Sequence, residues 1–289
     1  MRYRVEHTTT FDYAAPVDLA CHMVRLLPRE LPYQQVISSA IIAEPGAARR
    51  SDGVDHFGNQ VSWLFLDLPH ANFAVTLHAE VEVAFPAPPD PQMTPPWEDV
   101  ATARDGGPLS WQAAEFSFPS PMVDADRDVA AYVARFFPTG LPILAGVISL
   151  LDRIRRDFKF QSGVTTIATP VGRVLAQRAG VCQDFSHLMI SGLRSLGLPA
   201  RYVSGYIRTR PQPGMERRHG ADQSHAWVGC WLGPRFGWVD VDPTNNLIVF
   251  DEHVVLGWGR DYGDLSPVRG VILGGGKHTL DVSVDLQPA

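Results

Sequence analysis

The sequence predicts an all-β region at the N-terminus followed by an α+β region, on three observations. Residues 1–85 carry β-rich runs separated by turn residues, the stretch after them is rich in proline, and helical periodicity begins only after residue 121. Further strand-like runs then follow the helices. This order is typical of a β domain and an α+β domain rather than of repeated βαβ units. With 289 residues, the chain is long enough to bury a core in each region.

The N-terminal region is expected to contain strands in RYRVEHTTTFDY, QQVISSAIIAEP, NQVSWLFLDLP and NFAVTLHAEVEVAF. In the last of these runs, apolar residues from Phe73 to Phe85 alternate with polar ones, which indicates one buried and one solvated face. FPAPPDPQMTPP carries six prolines between Pro86 and Pro96, which disfavours helix and ladder pairing. We therefore assign residues 1–100 to a β-rich domain with a Pro-rich linker, and residues 101–289 to a core domain with a C-terminal β tail.

In the second region, helices are predicted in MVDADRDVAAYVARFF and ILAGVISLLDRIRRDF. A third helix is predicted in GVCQDFSHLMISGLRSLG, where apolar residues from Phe185 to Leu196 recur at helical spacing and Gly197 provides a stop. The runs LPARYVSGYIRT, SHAWVGCWLG and FGWVDVDPTNN read as strands, and KHTLDVSVDLQ as a last strand.

Composition excludes several classes of partner. The formal net charge is −6, and no basic block is longer than two residues, so the electrostatic attraction that dominates nucleic-acid binding is missing. The sequence shows neither an apolar signal region at its start nor a run of 18 apolar residues, so we expect no membrane partner and a cytoplasmic location. Three widely spaced cysteines without a CxxC motif argue against a disulfide framework and a zinc knuckle. No cofactor is predicted.

Cys182 is the first candidate for chemistry. It lies where the third predicted helix begins, and there unpaired backbone N–H groups and the helix dipole stabilise a thiolate. The alternative is a packed thiol, because free cysteine is among the most buried residue types. A nucleophile needs a base, so the surrounding histidines decide between these two interpretations.

His225 is a better candidate for this base than His187. His187 lies five residues beyond Cys182, which is about 140° around the helix axis, so it is expected to face away. On the strand SHAWVGCWLG, His225 shares one face with Trp227 and Trp231, while Cys230 faces the opposite side as a core thiol. The expected direction of His187 also disfavours a metal site built from Cys182, His187, His225 and an aspartate.

A third residue that orients the imidazole is expected in GWVDVDPTNN. Asp240 and Asp242 are two residues apart and share one face of an extended strand. Pro243 ends that strand and leaves Asp242 at its edge, so we favour Asp242, although either aspartate could instead belong to a turn.

Together these motifs resemble the bacterial transglutaminase-like family, in which a β-rich domain precedes a transglutaminase-like, papain-related core. The resemblance rests on RAGVCQDFSHLMISGLRSLGLPARYVSGY, SHAW and GWVDVDPTNN, with FKFQSGVTTIATP upstream and GRDYGDLSPVRGVILGGG downstream. It implies an α+β fold, with an N-terminal β-sandwich-like domain followed by a papain-like core, and a catalytic triad of Cys182, His225 and Asp242. Animal members use a tryptophan at the oxyanion; Trp111, Trp227 and Trp231 are candidates here without an aligned match.

The chemistry that follows is acyl transfer at an amide bond of a peptide or protein. Water as the acceptor gives a cysteine peptidase or amidase, which we favour, and a primary amine gives a transglutaminase. The polar segment 208–223, RTRPQPGMERRHGADQ, runs into His225 and is a candidate wall of the cleft. A non-catalytic binding module on the same fold is the alternative of a different class. The sequence does not predict an oligomeric state.

Overall fold

The computed structural model describes residues 1–103, 113–209 and 223–289. Two large sheets and a group of helices make up this part of the chain, which is an α+β fold with a strand-rich N-terminal domain. The strands are β1 (Arg2–Val24), β2 (Gln34–Glu44), β3 (Arg49–Val54), β4 (Gln60–Leu66), β5 (His70–Val83), β6 (Lys159–Phe160), β7 (Ala179–Gly180), β8 (Ala200–Ile207), β9 (Gln223–Trp231), β10 (Trp238–Asp242), β11 (Leu247–Ile248), β12 (His253–Gly259), β13 (Val268–Gly274) and β14 (His278–Pro288). The helices are α1 (Trp97–Ala103), α2 (Arg127–Ala134), α3 (Ile143–Asp157), α4 (Val171–Gln177), α5 (Cys182–Ser195) and α6 (Tyr262–Leu265).

The N-terminal sheet is organised around the long strand β1. The first half of β1 pairs with β5 and β14, its second half pairs with β4 and β13, and the pairing with β5 shifts register between Asp12 and Val17. Side chains of both halves meet in one buried cluster. Strand β5 buries Phe73, Val75 and Leu77 on one face, as its alternating pattern predicts.

The C-terminal strands belong to this N-terminal sheet. Both β13 and β14 pair antiparallel with β1, and the backbone N–H of Ala289 donates to the carbonyl of Arg2 at 2.9 Å. We assigned this β tail to the core domain because of its place in the sequence, whereas its hydrogen bonds are made with β1. The predicted domain boundary near residue 100 stays a prediction.

The core domain packs helices against a five-stranded sheet of order β11-β10-β9-β8-β12. The predicted helices in this region are present as α2, α3 and α5, and α5 is followed by Gly197 at a φ of +79°. Such a φ suits glycine at the end of a helix. Helix α5 buries its apolar face against α2 and the sheet, so its first residue is held at a fixed place beside β8 and β9.

The two sheets meet through the strands β8 and β12. Tyr206 and Val254 are fully buried in the core of the N-terminal sheet, and the side chain of Gln34 exchanges two 2.7 Å hydrogen bonds with the backbone of Val255. In addition, Nδ1 of His7 lies 2.8 Å from the hydroxyl of Tyr206. These contacts place one face of β1 opposite the start of α5.

Candidate active site

Cys182 is the first residue of α5 and is partly exposed to solvent in a cleft. The first hydrogen bond of the helix runs from the N–H of Phe185 to the carbonyl of Val181. The N–H groups of Cys182 and Gln183 therefore precede the hydrogen-bonded ladder of the helix. These two donors lie at the start of the helix, where the sequence pattern predicts Cys182 to lie.

The position of this helix start is fixed by Asp184. Its Oδ2 accepts hydrogen bonds from the N–H of Val181 and from the hydroxyl of Thr165, both at 2.7 Å. A Cβ atom on Gly180 would lie 2.6 Å from the same oxygen. Gly180, two residues before the cysteine, thus leaves room for the carboxylate of Asp184 to cap the start of the helix.

His225 lies on β9 and lines the same cleft as Cys182. Its Nε2 lies 2.7 Å from Oδ2 of Asp242, so Nδ1 is the ring nitrogen that is left to interact with Cys182. Burial alone would lower the pKa of His225, but its hydrogen bond to Asp242 and the influence of the Cys182 thiol outweigh burial and raise the pKa to about 10. An imidazolium is therefore favoured beside the thiol at neutral pH.

Asp242 ends β10 and is completely buried. Its Oδ1 accepts the backbone N–H groups of Thr244 and Asn245 at 2.9 and 3.2 Å, and its Oδ2 accepts the side-chain amide of Asn245 at 2.6 Å. Burial opposes the charge, but the hydrogen bonds, first of all that from His225, hold the pKa of Asp242 well below its usual range. The carboxylate stays ionised and keeps the ring of His225 in one orientation.

His253 on β12 approaches Asp242 from another side. Its Nε2 lies 3.5 Å from Oδ2 of Asp242, which is long for a hydrogen bond, and within the described part of the chain this nitrogen has no other partner. The ring is fully buried and packs at 5.2 Å, centroid to centroid, from that of Trp227. The carboxylate therefore lies between two imidazoles.

Asp240 has a different environment from Asp242, although both lie on the same face of β10. Its Oδ2 accepts the indole N–H of Trp227 at 3.0 Å, and its Oδ1 lies 3.6 Å from the guanidinium of Arg201. The structure thus brings Asp242 to His225 and places Asp240 in a buried ion pair.

Of the other residues considered from the sequence, those that the structure describes lie outside the cleft lining. His187 is buried, and its Nε2 accepts the N–H of Tyr262 at 3.2 Å; burial lowers its pKa to about 4, so the ring is neutral. Cys230 is buried in the core, as predicted, and burial raises the pKa of its thiol. Trp227 donates its indole N–H to Asp240, Trp231 packs against Trp238, and Trp111 lies outside the described residues.

A cation would find ligands in a set other than the one considered from the sequence. Nitrogen and oxygen atoms of His225, Asp242 and His253 lie within 4.8 Å of one another. The two histidines and one carboxylate are of the right chemical kind for zinc. However, this carboxylate already has hydrogen-bond partners in His225 and Asn245.

The cleft itself is a cavity of about 250 Å³ with walls from both domains. The core domain contributes the start of α5, parts of β8 and β9, and Tyr262; the N-terminal sheet contributes one face of β1 and β14. Tyr202 lines the cleft next to Cys182, and burial raises the pKa of its phenol well above the usual value, so the hydroxyl keeps its proton. Of the segment 208–223, predicted as a wall, residues 210–222 lie outside the described residues.

Sequence reasoning allowed the β domain to shape one side of the cleft, but it did not identify three groups that surround the site: His253, Asn245 and the residues of β1 and β14 that line the cleft. Asn245 follows Asp242 in the quoted motif DPTNN, so its proximity to the carboxylate offered a local signal. His253 and the residues of β1 and β14 are brought to the site by pairing between strands that are distant in sequence. The sequence contains no local pattern that predicts such pairing. Among the described residues, no helix is long and apolar enough to cross a membrane.

Two family models match this chain. The model of the bacterial transglutaminase-like N-terminal region covers residues 3–82, and the model of the transglutaminase-like superfamily covers residues 131–243. The second match includes all three residues of the predicted triad.

Known proteins are similar to this chain over all or part of its length. An uncharacterized protein of Mycobacterium bovis is 38% identical over 297 residues, covering 99% of this chain and 93% of the relative. A protein-glutamine gamma-glutamyltransferase of Pseudomonas aeruginosa is 41% identical over 69 residues, which cover 23% of this chain and 10% of the relative. Among solved structures, a candidate cysteine protease from Cytophaga hutchinsonii superposes with a TM-score of 0.75 at 19% identity, covering 99% of this chain and 90% of the other. At that identity the likeness concerns the fold.

Proposed function

Because the chain belongs to the transglutaminase-like superfamily, with the bacterial transglutaminase-like N-terminal region ahead of the core, we propose that it is a thiol-dependent acyl-transfer enzyme. We favour a cysteine peptidase or amidase that hydrolyses peptide or isopeptide bonds. The observation that carries the proposal is the presence of Cys182 and His225 in one cleft, with Nε2 of the histidine 2.7 Å from Oδ2 of the buried Asp242.

In the first half of the reaction, the thiolate of Cys182 attacks the carbonyl carbon of a substrate amide. The C–N bond breaks, Nδ1 of His225 gives its proton to the departing amine, and a thioester remains on the sulfur. In the second half, water attacks the thioester while His225 takes a proton from it. The products are a carboxylic acid and the regenerated thiolate, and Asp242 keeps the imidazole in the required tautomer throughout.

The negative oxygen of the tetrahedral intermediate needs donors that are already oriented. The N–H groups of Cys182 and Gln183 fulfil this requirement, because they precede the first hydrogen bond of α5. The capping contact of Asp184 holds the helix start in place while the charge on the oxygen develops and decays.

Transfer to a primary amine is the second candidate reaction. It is favoured by the likeness of a 69-residue segment to a protein-glutamine gamma-glutamyltransferase. The two reactions share every step up to the thioester and differ only in the acceptor. They are separated by whether water or a supplied amine releases the acyl group.

Alkylation by iodoacetamide, followed by peptide mass mapping, tests the proposal within one molecule. We expect Cys182 to react at pH 6.5 at least about tenfold faster than the exposed Cys21, because the imidazolium of His225 stabilises its thiolate. Buried Cys230 should stay unmodified. The advantage of Cys182 should disappear in His225→Ala, and if Cys182 is no more reactive than Cys21 in the native protein, the proposal is wrong.

The acceptor is tested by mass spectrometry of a peptide mixture incubated with the protein, with and without an added alkyl amine. New peptide termini support hydrolysis, and a mass increase equal to the amine less ammonia at glutamine supports transfer. Cys182→Ala must abolish either product. If that variant retains the activity, the nucleophile has been assigned wrongly.

A further inference from the structure

The wall of the cleft that faces Cys182 is built by the N-terminal sheet. His7, Thr9 and Phe11 point to the same face of β1, and Val282 and Leu280 of β14 lie directly opposite Thr9 and Phe11 in the antiparallel pairing. Residues directly opposite in such a pair share a face of the sheet. Two strands thus present one continuous surface to the nucleophile.

This wall is apolar and partly open to solvent. Leu280 is 57% exposed and Val282 is 46% exposed, although both line the cleft that holds Cys182. Covering an exposed apolar side chain with another apolar group is favourable, because it removes apolar surface from water. Because Leu280 and Val282 line the same cleft as Cys182, a substrate bound at Cys182 is placed to cover them.

The same wall carries no charge. Burial lowers the pKa of His7 to about 4, and its two ring nitrogens lie 2.8 and 2.9 Å from the hydroxyls of Tyr206 and Thr9, so this ring is neutral and satisfied. The part of the cleft lining that the structure describes includes no Asp, Glu, Lys or Arg side chain. A charged substrate side chain would lose water there without gaining a partner.

We propose that the face formed by β1 and β14 is a binding site for an uncharged aliphatic side chain of the peptide substrate, next to the residue whose amide is attacked. The inference rests on the proposed acyl-transfer reaction and adds its substrate class. It gives the N-terminal sheet a direct role in specificity, with Leu280 and Val282 as the determining residues and Phe11 beside them.

Peptidyl chloromethyl ketones test this site without a known substrate. The sulfur of Cys182 displaces chloride from the probe and forms a C–S bond, so the rate is read by intact mass. The probes are N-acetyl dipeptide chloromethyl ketones, and they differ only in carrying leucine, aspartate or lysine at either residue. We expect the leucine probe, at one of the two positions, to react about tenfold faster than the charged probes, a factor typical of burying one aliphatic side chain.

Leu280→Asp should remove this preference, whereas Leu273→Asp is the matched control. Leu273 is 64% exposed on β13 and lies outside the cleft lining, so its replacement should leave all probe rates unchanged. Val282→Thr, which keeps the size of the side chain, should lower the rate of the leucine probe about threefold. This variant keeps the test valid if Leu280→Asp disturbs folding.

Iodoacetamide has no side chain and reports on the thiol alone. Its rate at Cys182 should stay within about twofold in Leu273→Asp, and in the two cleft variants each probe rate is expressed relative to the iodoacetamide rate of the same variant. If Cys182 is activated toward iodoacetamide but the leucine and charged probes react equally, the binding site is refuted and the proposed reaction stands. If Cys182 reacts no faster than Cys21 with iodoacetamide, the proposed reaction is refuted, and the binding site falls with it.

Discussion

Replacement of Asp242 by asparagine perturbs the site with little change of volume. The backbone N–H groups of Thr244 and Asn245 can still donate to the remaining oxygen, but the new NH₂ group faces Nε2 of His225. This nitrogen must then accept a hydrogen bond rather than donate one. The proton moves to Nδ1, and the neutral ring can neither hold a thiolate as an ion pair nor take a proton from water.

The size of the effect follows from the contact that is lost. A charge-assisted hydrogen bond of 2.7 Å between buried partners contributes about 1.5–3 kcal/mol, which corresponds to about tenfold to 150-fold in a rate that depends on the imidazolium. We therefore expect the alkylation of Cys182 by iodoacetamide at pH 6.5 to slow about tenfold to 150-fold in Asp242→Asn. Peptide hydrolysis should fall further, because it also needs the ring as a base.

Asp240→Asn is the matched control for this experiment. Asp240 lies on the same face of the same strand and is also buried, but it contacts Trp227 and Arg201 instead of His225. Alkylation of Cys182 in this variant should stay within about twofold of the native rate. Near-UV circular dichroism confirms that both variants are folded. Equal rates in Asp242→Asn and the native protein, or an equal loss in both variants, would refute the assignment of Asp242.

Three further results are expected. His253→Gln removes a ring that lies against the carboxylate of Asp242. This change should slow peptide hydrolysis about threefold to tenfold while leaving the melting temperature of the protein within a few degrees. An unchanged hydrolysis rate would contradict this role of His253. Gly180→Ala places a methyl group against Asp184. This change should lower the free energy of unfolding, measured in urea, by about 1–3 kcal/mol and slow the alkylation of Cys182. Unchanged stability would show that the helix cap tolerates a Cβ atom. Burial lowers the pKa of His7 and His187 to about 4, so the unfolded chain takes up protons first as the pH falls below about 6.5. Stability should therefore decrease between about pH 6.5 and 4, by up to about 3 kcal/mol for each histidine, and His187→Gln should flatten the curve measured by urea unfolding at several pH values.

Local periodicity was sufficient to predict most of the elements that carry the site. The apolar spacing from Phe185 to Leu196 predicts α5, and the alternation around His225 and Asp242 predicts β9 and β10. The strands β3, β12 and β13 and the helices α1 and α4 were among the elements missed, and each is only six or seven residues long. The sequence had also suggested that helix was unlikely around the Pro-rich linker, yet α1 begins directly after Pro96.

The surroundings of the site could not be predicted because they depend on long-range pairing. His253 reaches Asp242 only because β12 pairs with β8 at the edge of the core sheet. Likewise, Leu280 lies opposite Phe11 through pairing between segments about 270 residues apart. Such pairings are set by the packing of the whole chain, and a single sequence contains no local mark of them.

The pairing of β1 with β13 and β14 has a consequence for how the protein is made. During synthesis, residues 1–85 leave the ribosome first, but the neighbours of β1 on one side are encoded by residues 268–288. Until those residues emerge, one edge of the central strand is unpaired and exposed to other chains, a condition that favours aggregation. The core with Cys182 and His225 is translated in between, so these two residues are made before the β1–β14 wall of their cleft is complete. A chain cut before residue 268 would therefore carry Cys182 and His225 without the surface that we propose selects the substrate.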